Sequence, residues 1–157
     1  MKSIFEPETY EETLQRLKTL QADSIAEWGV MSVGQAVKHM QGPIDQASGR
    51  LVINVPFFFS LIGPYYGQKY IKGADFENGA PTVPQYIVVN EPDFEKERIL
   101  LIEKLTGLVD AGTARLERLR HPLFGNLTTQ EWGHLQWKHL DHHLRQFGVQ
   151  AKVLQQS

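Results

Sequence analysis

Apolar residues recur at helical spacing in four stretches of the chain. In the first, residues 7–21, Tyr10, Leu14, Leu17 and Gln21 mark one face. Pro7 suits its opening turn, where a missing N–H leaves nothing unpaired. The second opens at Ser32 and carries Val33, Ala36, Val37, Met40, Ile44 and Ala47 on its apolar side, with Gly49 placed to stop it. Ser32 and Gln35 form a capping box, in which the hydroxyl accepts from the third helical amide and the glutamine returns to the cap's own N–H. The third starts near Asp93, after Pro92, with Phe94, Ile99, Ile102, Leu105, Leu108 and Val109. It ends at Gly112 or continues through Leu116 and Leu119. After a turn at residues 121–125, Thr128 opens the fourth, and Glu131 completes a second capping box. Trp132, Leu135, Leu140, Leu144 and Phe147 are its apolar residues, and Gly148 its stop. The pattern predicts an all-α four-helix bundle, a single domain over residues 1–157.

Residues 50–91 break the pattern. Pro56, Pro64, Pro81 and Pro84, with Gly63, Gly67, Gly73 and Gly79, argue against a long regular element, so a long irregular connection joins helices two and three. Within it, Phe57, Phe58, Phe59, Leu61, Ile62, Tyr65 and Tyr66 suggest a short helix or turn covering the mouth of the bundle, or a subunit interface. Residues 86–89 are strand-like but have no evident partner. Pro43 lies inside the second helix and cannot donate to the carbonyl of His39, which predicts a kink or local opening there.

Chemistry concentrates in the fourth helix. His139 and His143 are four residues apart, so they lie about 40° apart around the axis and one turn along it, close enough for two imidazoles to share a metal ion. His142 is also one turn from His139, and helical phase separates the candidates. With His139 at 0°, the large apolar residues average near about 90°, His143 falls at about 40° and His142 at about −60°. His142 therefore reads as a surface residue beside Lys138 and Glu131, and His134 points away with Asp141 and Arg145. A histidine pair at this spacing is more often incidental than ligating, so a third donor is needed, and His39 is the candidate. Its phase, about 100° from Met40, leaves it on the flank of the apolar stripe rather than inside it. Gln136 and Gln146 lie near the histidine face as candidate pocket polar groups, though a packing or surface role is simpler for both.

Composition narrows the function classes. The chain has 157 residues, 41% hydrophobic and 22% charged, with a formal net charge of −2, which speaks against nucleic acid and an acidic membrane surface as partners. There is no cysteine, which excludes disulfides, thiolate metal sites and a cysteine nucleophile, and suits a reducing compartment. The polar N-terminus is unlike a secretory signal, and the apolar run at residues 55–62 is too short to span a bilayer, so a cytoplasmic protein is expected. Nucleophile-elbow, phosphate-loop and dinucleotide-binding motifs are missing from the sequence.

In helix order, and in the segments WGVMSVGQAVKHM (residues 28–40) and HPLFGNLTTQEWGHLQWKHLDHHLRQFG (residues 121–148), the chain resembles an uncharacterised branch of the DinB-like four-helix-bundle family. The resemblance implies one metal ligand on the second helix and an H-x3-H pair on the last, here His39, His139 and His143. It implies a divalent metal ion as cofactor and a homodimer; imidazole suits zinc, nickel, copper and iron alike, and zinc or nickel is expected ahead of iron or manganese. Three neutral imidazoles leave an ion with open positions, the arrangement of a catalytic rather than a closed structural site. By resemblance the expected activity is that of a metal-dependent S-transferase or isomerase using a low-molecular-weight thiol as cosubstrate beside a small-molecule substrate. The residues themselves leave a metal-dependent hydrolase, and a non-catalytic metal-binding or interaction bundle, equally open.

Overall fold

The computed structural model of the chain describes residues 1–73 and 75–151; the side chains of Ser60, Tyr66 and Gln68 lie outside the described set. Five α-helices are present among these residues: α1 (Pro7–Thr19), α2 (Val33–Ala47), α3 (Phe57–Lys72), α4 (Phe94–Asp110) and α5 (Thr129–Gln146). Single 3-10 turns occupy Pro84–Tyr86 and Leu116–Arg118, and β1 (Arg120–His121) pairs antiparallel with β2 (Gly125–Asn126) in a minimal hairpin. The protein is an all-α bundle of α1, α2, α4 and α5. The first of these packs on α4 and α5, and α2 packs on the same two helices. Leu17, Met40, Ile44, Leu101, Leu105, Trp132, Leu140 and Leu144 fill the space between them and are essentially inaccessible to solvent.

Local chemistry sets the helix ends as the sequence predicts. Both capping boxes form, Ser32 with Gln35 and Thr128 with Glu131. Beyond α2, Gly49 takes a φ of 73°, and the Arg50 amide reaches back to the Asp45 carbonyl. Beyond α5, Gly148 takes a φ of 74°, and Val149 N–H reaches the Leu144 carbonyl. Helix α1 stops at Thr19, short of Gln21, and α4 ends at Asp110, so Leu116 reaches the core from the separate 3-10 turn. Helix α2 runs unbroken through Pro43.

The connection between α2 and α4 departs from expectation. Helix α3 is sixteen residues long, with Pro64 in its interior, where the prolines and glycines argued against a regular element. Tertiary packing overrides propensity here. The buried residues Gly63, Gly67 and Ile71 recur every fourth position and let the helix lie directly on the hairpin. A methyl group at position 63 would overlap the Leu123 carbonyl, and one at 67 would press on the Phe124 ring. The helix does not cover the bundle mouth. Phe57, Phe58, Phe59, Leu61 and Tyr65 are exposed, and the Tyr66 side chain lies outside the described residues. Residues 86–89 form no strand; Tyr86 closes a 3-10 turn that docks against α2. No helix among the described residues is long and apolar enough to cross a membrane.

Candidate metal centre

Three histidines from two helices converge at one end of the core. His39 comes from the middle of α2, and His139 and His143 come from consecutive turns of α5. One ligating atom from each lies within 4.8 Å of the others, and Nε2 of His39 is 3.0 Å from Nε2 of His139. Ring centroids are 4.7 to 5.0 Å apart around the triangle. Two nitrogens that share an ion at about 2.0–2.1 Å are themselves about 3–3.4 Å apart. The His39–His139 separation already has that value, and with all three donor atoms within 4.8 Å of one another the group could hold a metal ion. His39 and His143 are buried, while His139 is partly exposed.

The hydrogen bonds on the far side of two rings decide which nitrogen is free. Nδ1 of His39 lies 2.9 Å from the Tyr86 carbonyl oxygen, which can only accept, so this nitrogen carries the proton and Nε2 keeps its lone pair. On the His143 side the restraint passes through Gln146. Its amide nitrogen donates to the Trp28 carbonyl at 2.7 Å, which fixes the orientation of the amide and turns Oε1 toward His143 Nδ1 at 2.8 Å. That nitrogen must therefore donate, and His143 likewise offers Nε2. Outer partners of this kind orient metal-binding imidazoles and select their tautomer. Glycines make room for both: a Cβ at position 29 would lie 2.6 Å from the Gln146 amide nitrogen, and one at 42 would overlap the Tyr86 ring. Gly29 also has a φ of 80°, which favours glycine.

Electrostatics hold the cluster neutral. Burial pushes His143 down to about 3, with the charge of a protonated His39 acting in the same direction. Burial likewise lowers His39, against the Tyr86 hydrogen bond, and holds His139 well below the usual imidazole range, helped by His143 and His39. Neutral imidazole is the form that binds a cation.

His142, expected at the surface, is buried. The reason is tertiary: Trp28, from the segment before α2, and Phe76, from the long connection, cover that side of α5 with ring centroids 5.8 and 5.9 Å from the imidazole. Lys138 and Asp141 are buried with it. The lysine Nζ bonds the Tyr70 carbonyl, and the aspartate pairs with Arg16 at 2.7 Å and Arg145 at 2.9 Å. His142 does not join the triangle. His134, on the opposite side, lies 2.7 Å from the Lys2 carbonyl.

A cleft of about 150 Å³ opens beside His139. Its walls come from the long connection (Ile53, Phe76, Tyr86), the hairpin (His121, Phe124) and the flanks of α2 and α5; among the described residues none of 57–66 lines it. Two contributors to the site were missed in sequence reading: Tyr86, which acts through a backbone carbonyl that carries no residue signature, and His121, taken as part of a turn; Gln146, placed near the histidine face but given a packing or surface role, holds His143.

Residues 75–150 match a family described as "Protein of unknown function (DUF1569)", a stretch that contains His139 and His143 but not His39. Neither the curated proteins nor the solved structures give a match.

Proposed function

We propose that the protein is a divalent-metal protein of DinB-like type, with His39, His139 and His143 as its ligands through Nε2, and that it catalyses a metal-dependent transfer using a low-molecular-weight thiol. The observation that carries this reading is the pre-set tautomer of His39 and His143, each held by a hydrogen bond on Nδ1. Any buried imidazole N–H needs an acceptor; what supports the reading is that both acceptors fall on Nδ1, which leaves Nε2 of each ring to the cluster. Three imidazoles are the one group of this kind among the described residues, and three protein donors leave room for an exogenous ligand. Imidazole suits zinc and nickel, as it does copper and iron; of these zinc or nickel is the proposed ion. When bound, the ion would favour thiolate over thiol and act as a Lewis acid.

The chain's own residues do the rest. Tyr86 and Gln146 orient the ligands, Phe76 and Trp28 exclude water from the α5 side, and the cleft beside His139 admits a small molecule. The absence of cysteine leaves the sulfur to a cosubstrate and accords with a cytoplasmic location, and the DinB-like resemblance carries a homodimer with it.

Elemental analysis of untagged protein should give one divalent ion per chain. His39→Ala, His139→Ala and His143→Ala should each abolish binding, whereas His142→Ala should retain it. Cobalt-substituted protein should develop a sulfur charge-transfer band on addition of a thiol. Metal-free protein as isolated, with no uptake on dialysis against zinc or nickel, would end the metal reading. A loaded protein indifferent to a thiol panel would end the transferase reading alone.

A further inference from the structure

The hairpin holds an imidazole with one polar atom left over. Nδ1 of His121 accepts from the backbone amides of Leu123 at 3.2 Å and Phe124 at 3.1 Å. A nitrogen that accepts amide protons carries none, so the ring proton sits on Nε2. The residue is only 6% exposed, stacked flat on Phe124 at 4.6 Å and set against Trp132 at 5.1 Å. Among the described residues nothing hydrogen-bonds Nε2. His121 lines the cleft, so this N–H is available to a molecule bound there.

The surroundings say what kind of acceptor would suit. His121 lines the same cleft as His139, and no Asp, Glu, Lys or Arg lines it among the described residues. In metal-free protein a charge brought there would be desolvated with no side-chain counter-ion. Of the other polar side chains, the Tyr86 hydroxyl donates to Gln46 at 2.7 Å and the Gln136 amide lies 3.4 Å from the Pro43 carbonyl, while Thr82 lies exposed at the rim. At about 150 Å³ the space is also well below the about 300–1,000 Å³ of a site for drug-sized ligands.

We propose that this cleft binds a small uncharged molecule bearing a carbonyl-type oxygen, and that the Nε2–H of His121 donates to that oxygen while the rest of the molecule lies beside His139. The proposal rests on the metal reading only for what meets the molecule at the His139 end. A larger, charged thiol would have to leave its charged parts outside, so the cleft selects the reacting end of a cosubstrate rather than the whole of it.

His121→Asn separates this role from a structural one. An asparagine oxygen takes roughly the place of Nδ1 and accepts the same kind of downstream amide, as it does in Asx turns, but nothing replaces the Nε2–H. Two neutral thiols of equal chain length serve as probes: methyl thioglycolate, which has an ester carbonyl, and 1-butanethiol, which has none. In cobalt-loaded protein, read by visible absorption, His121→Asn should weaken methyl thioglycolate about tenfold and leave 1-butanethiol within about twofold. In metal-free protein, followed by amide NMR shifts of Leu123 and Phe124, methyl acetate should bind and acetate should not, and His121→Asn should abolish the methyl acetate response. Equal weakening of both thiols, no weakening of either, or acetate binding as well as its ester would overturn the proposal. Failure to load cobalt would remove the metal reading instead, and the metal-free arm would still decide the role of His121.

Discussion

Gln146→Leu tests the argument that joins the fold to the site. The side chain is 3% exposed, and its amide bridges the Trp28 carbonyl and Nδ1 of His143. Leucine has similar bulk but neither polar atom, so the substitution strands a buried carbonyl and a buried ring N–H. Each stranded group costs about 1–3 kcal/mol of stability. At about 2–4 °C per kcal/mol for a chain of this size, metal-free protein should melt several degrees lower. The larger prediction concerns metal. Without an acceptor on Nδ1 the ring is free to turn and to exchange tautomers, so Nε2 is no longer pre-set, and loss of such a partner typically costs about 10–100-fold in affinity. Competition against a chromophoric zinc chelator measures this directly, with His143→Ala marking complete loss of the site. If Gln146→Leu lowers the melting temperature yet binds zinc like the wild type, the hydrogen bond is only structural, and the tautomer argument fails.

Three further outcomes follow from other contacts. Gly42→Ala should raise intrinsic helix propensity by about 1 kcal/mol, yet it drives a methyl group into the Tyr86 ring and should shift the carbonyl that holds His39. Zinc affinity should therefore fall about tenfold with helical content by circular dichroism unchanged, and unaltered affinity would exclude Tyr86 as an orienting group. Asp141→Ala leaves the Arg16 guanidinium, 5% exposed, without its closest carboxylate and should cost about 3–5 kcal/mol in urea unfolding, against less than about 1 kcal/mol for Arg50→Ala in the half-exposed pair with Asp45. His121 gives a pH dependence: burial pushes it down to about 4, from 6.5 in the unfolded chain. Above pH 6.5 both states are neutral and the residue contributes no slope. As pH falls below 6.5 the unfolded chain takes up the proton first, so stability falls toward pH 4 by about 3 kcal/mol. His121→Asn should remove that part of the slope in metal-free protein, and an unchanged slope would show that His121 is not held neutral.

The bundle helices were legible because each carries its own instructions. A capping hydroxyl, a partner three residues on, an apolar stripe and a glycine stop all lie within one segment, and α2 and α5 follow them closely. Helix α3 was not, because its instructions lie elsewhere. Gly63 and Gly67 look like breakers until the hairpin they receive, the Leu123 backbone and the Phe124 ring, is present. The α5 histidine pair was readable from phase, since both residues share a helix. His142 was misread because phase describes only the bundle side of α5, and Trp28 and Phe76 come from segments with no periodicity to read. Periodicity put His39 on the flank of α2. There it proves to be buried, because the long connection supplies a wall that a simple bundle would lack.

That wall gives a physical reason for a connection as long as residues 48–93. In a bundle with short loops, the flank of α2 beyond the apolar stripe would face water. An imidazole there would have solvent for its outer partner and would choose neither tautomer nor orientation. Here the chain leaves α2, forms α3 against the hairpin, and returns along α2 through the Pro84–Tyr86 turn before entering α4. The return places one carbonyl on His39, one ring against Gly42 and one hydroxyl on Gln46, three residues spaced along a single face of α2. The same passage brings Phe76 against His139 and closes one side of the cleft. Orientation of a ligand, burial of the cluster and the boundary of the cleft thus share one cause. Replacing the connection by a short linker should therefore leave a helical bundle that still carries His39, His139 and His143, but with His39 solvated and zinc bound weakly. Tight zinc binding by such a protein, in the same chelator competition, would show that the two bundle helices alone suffice.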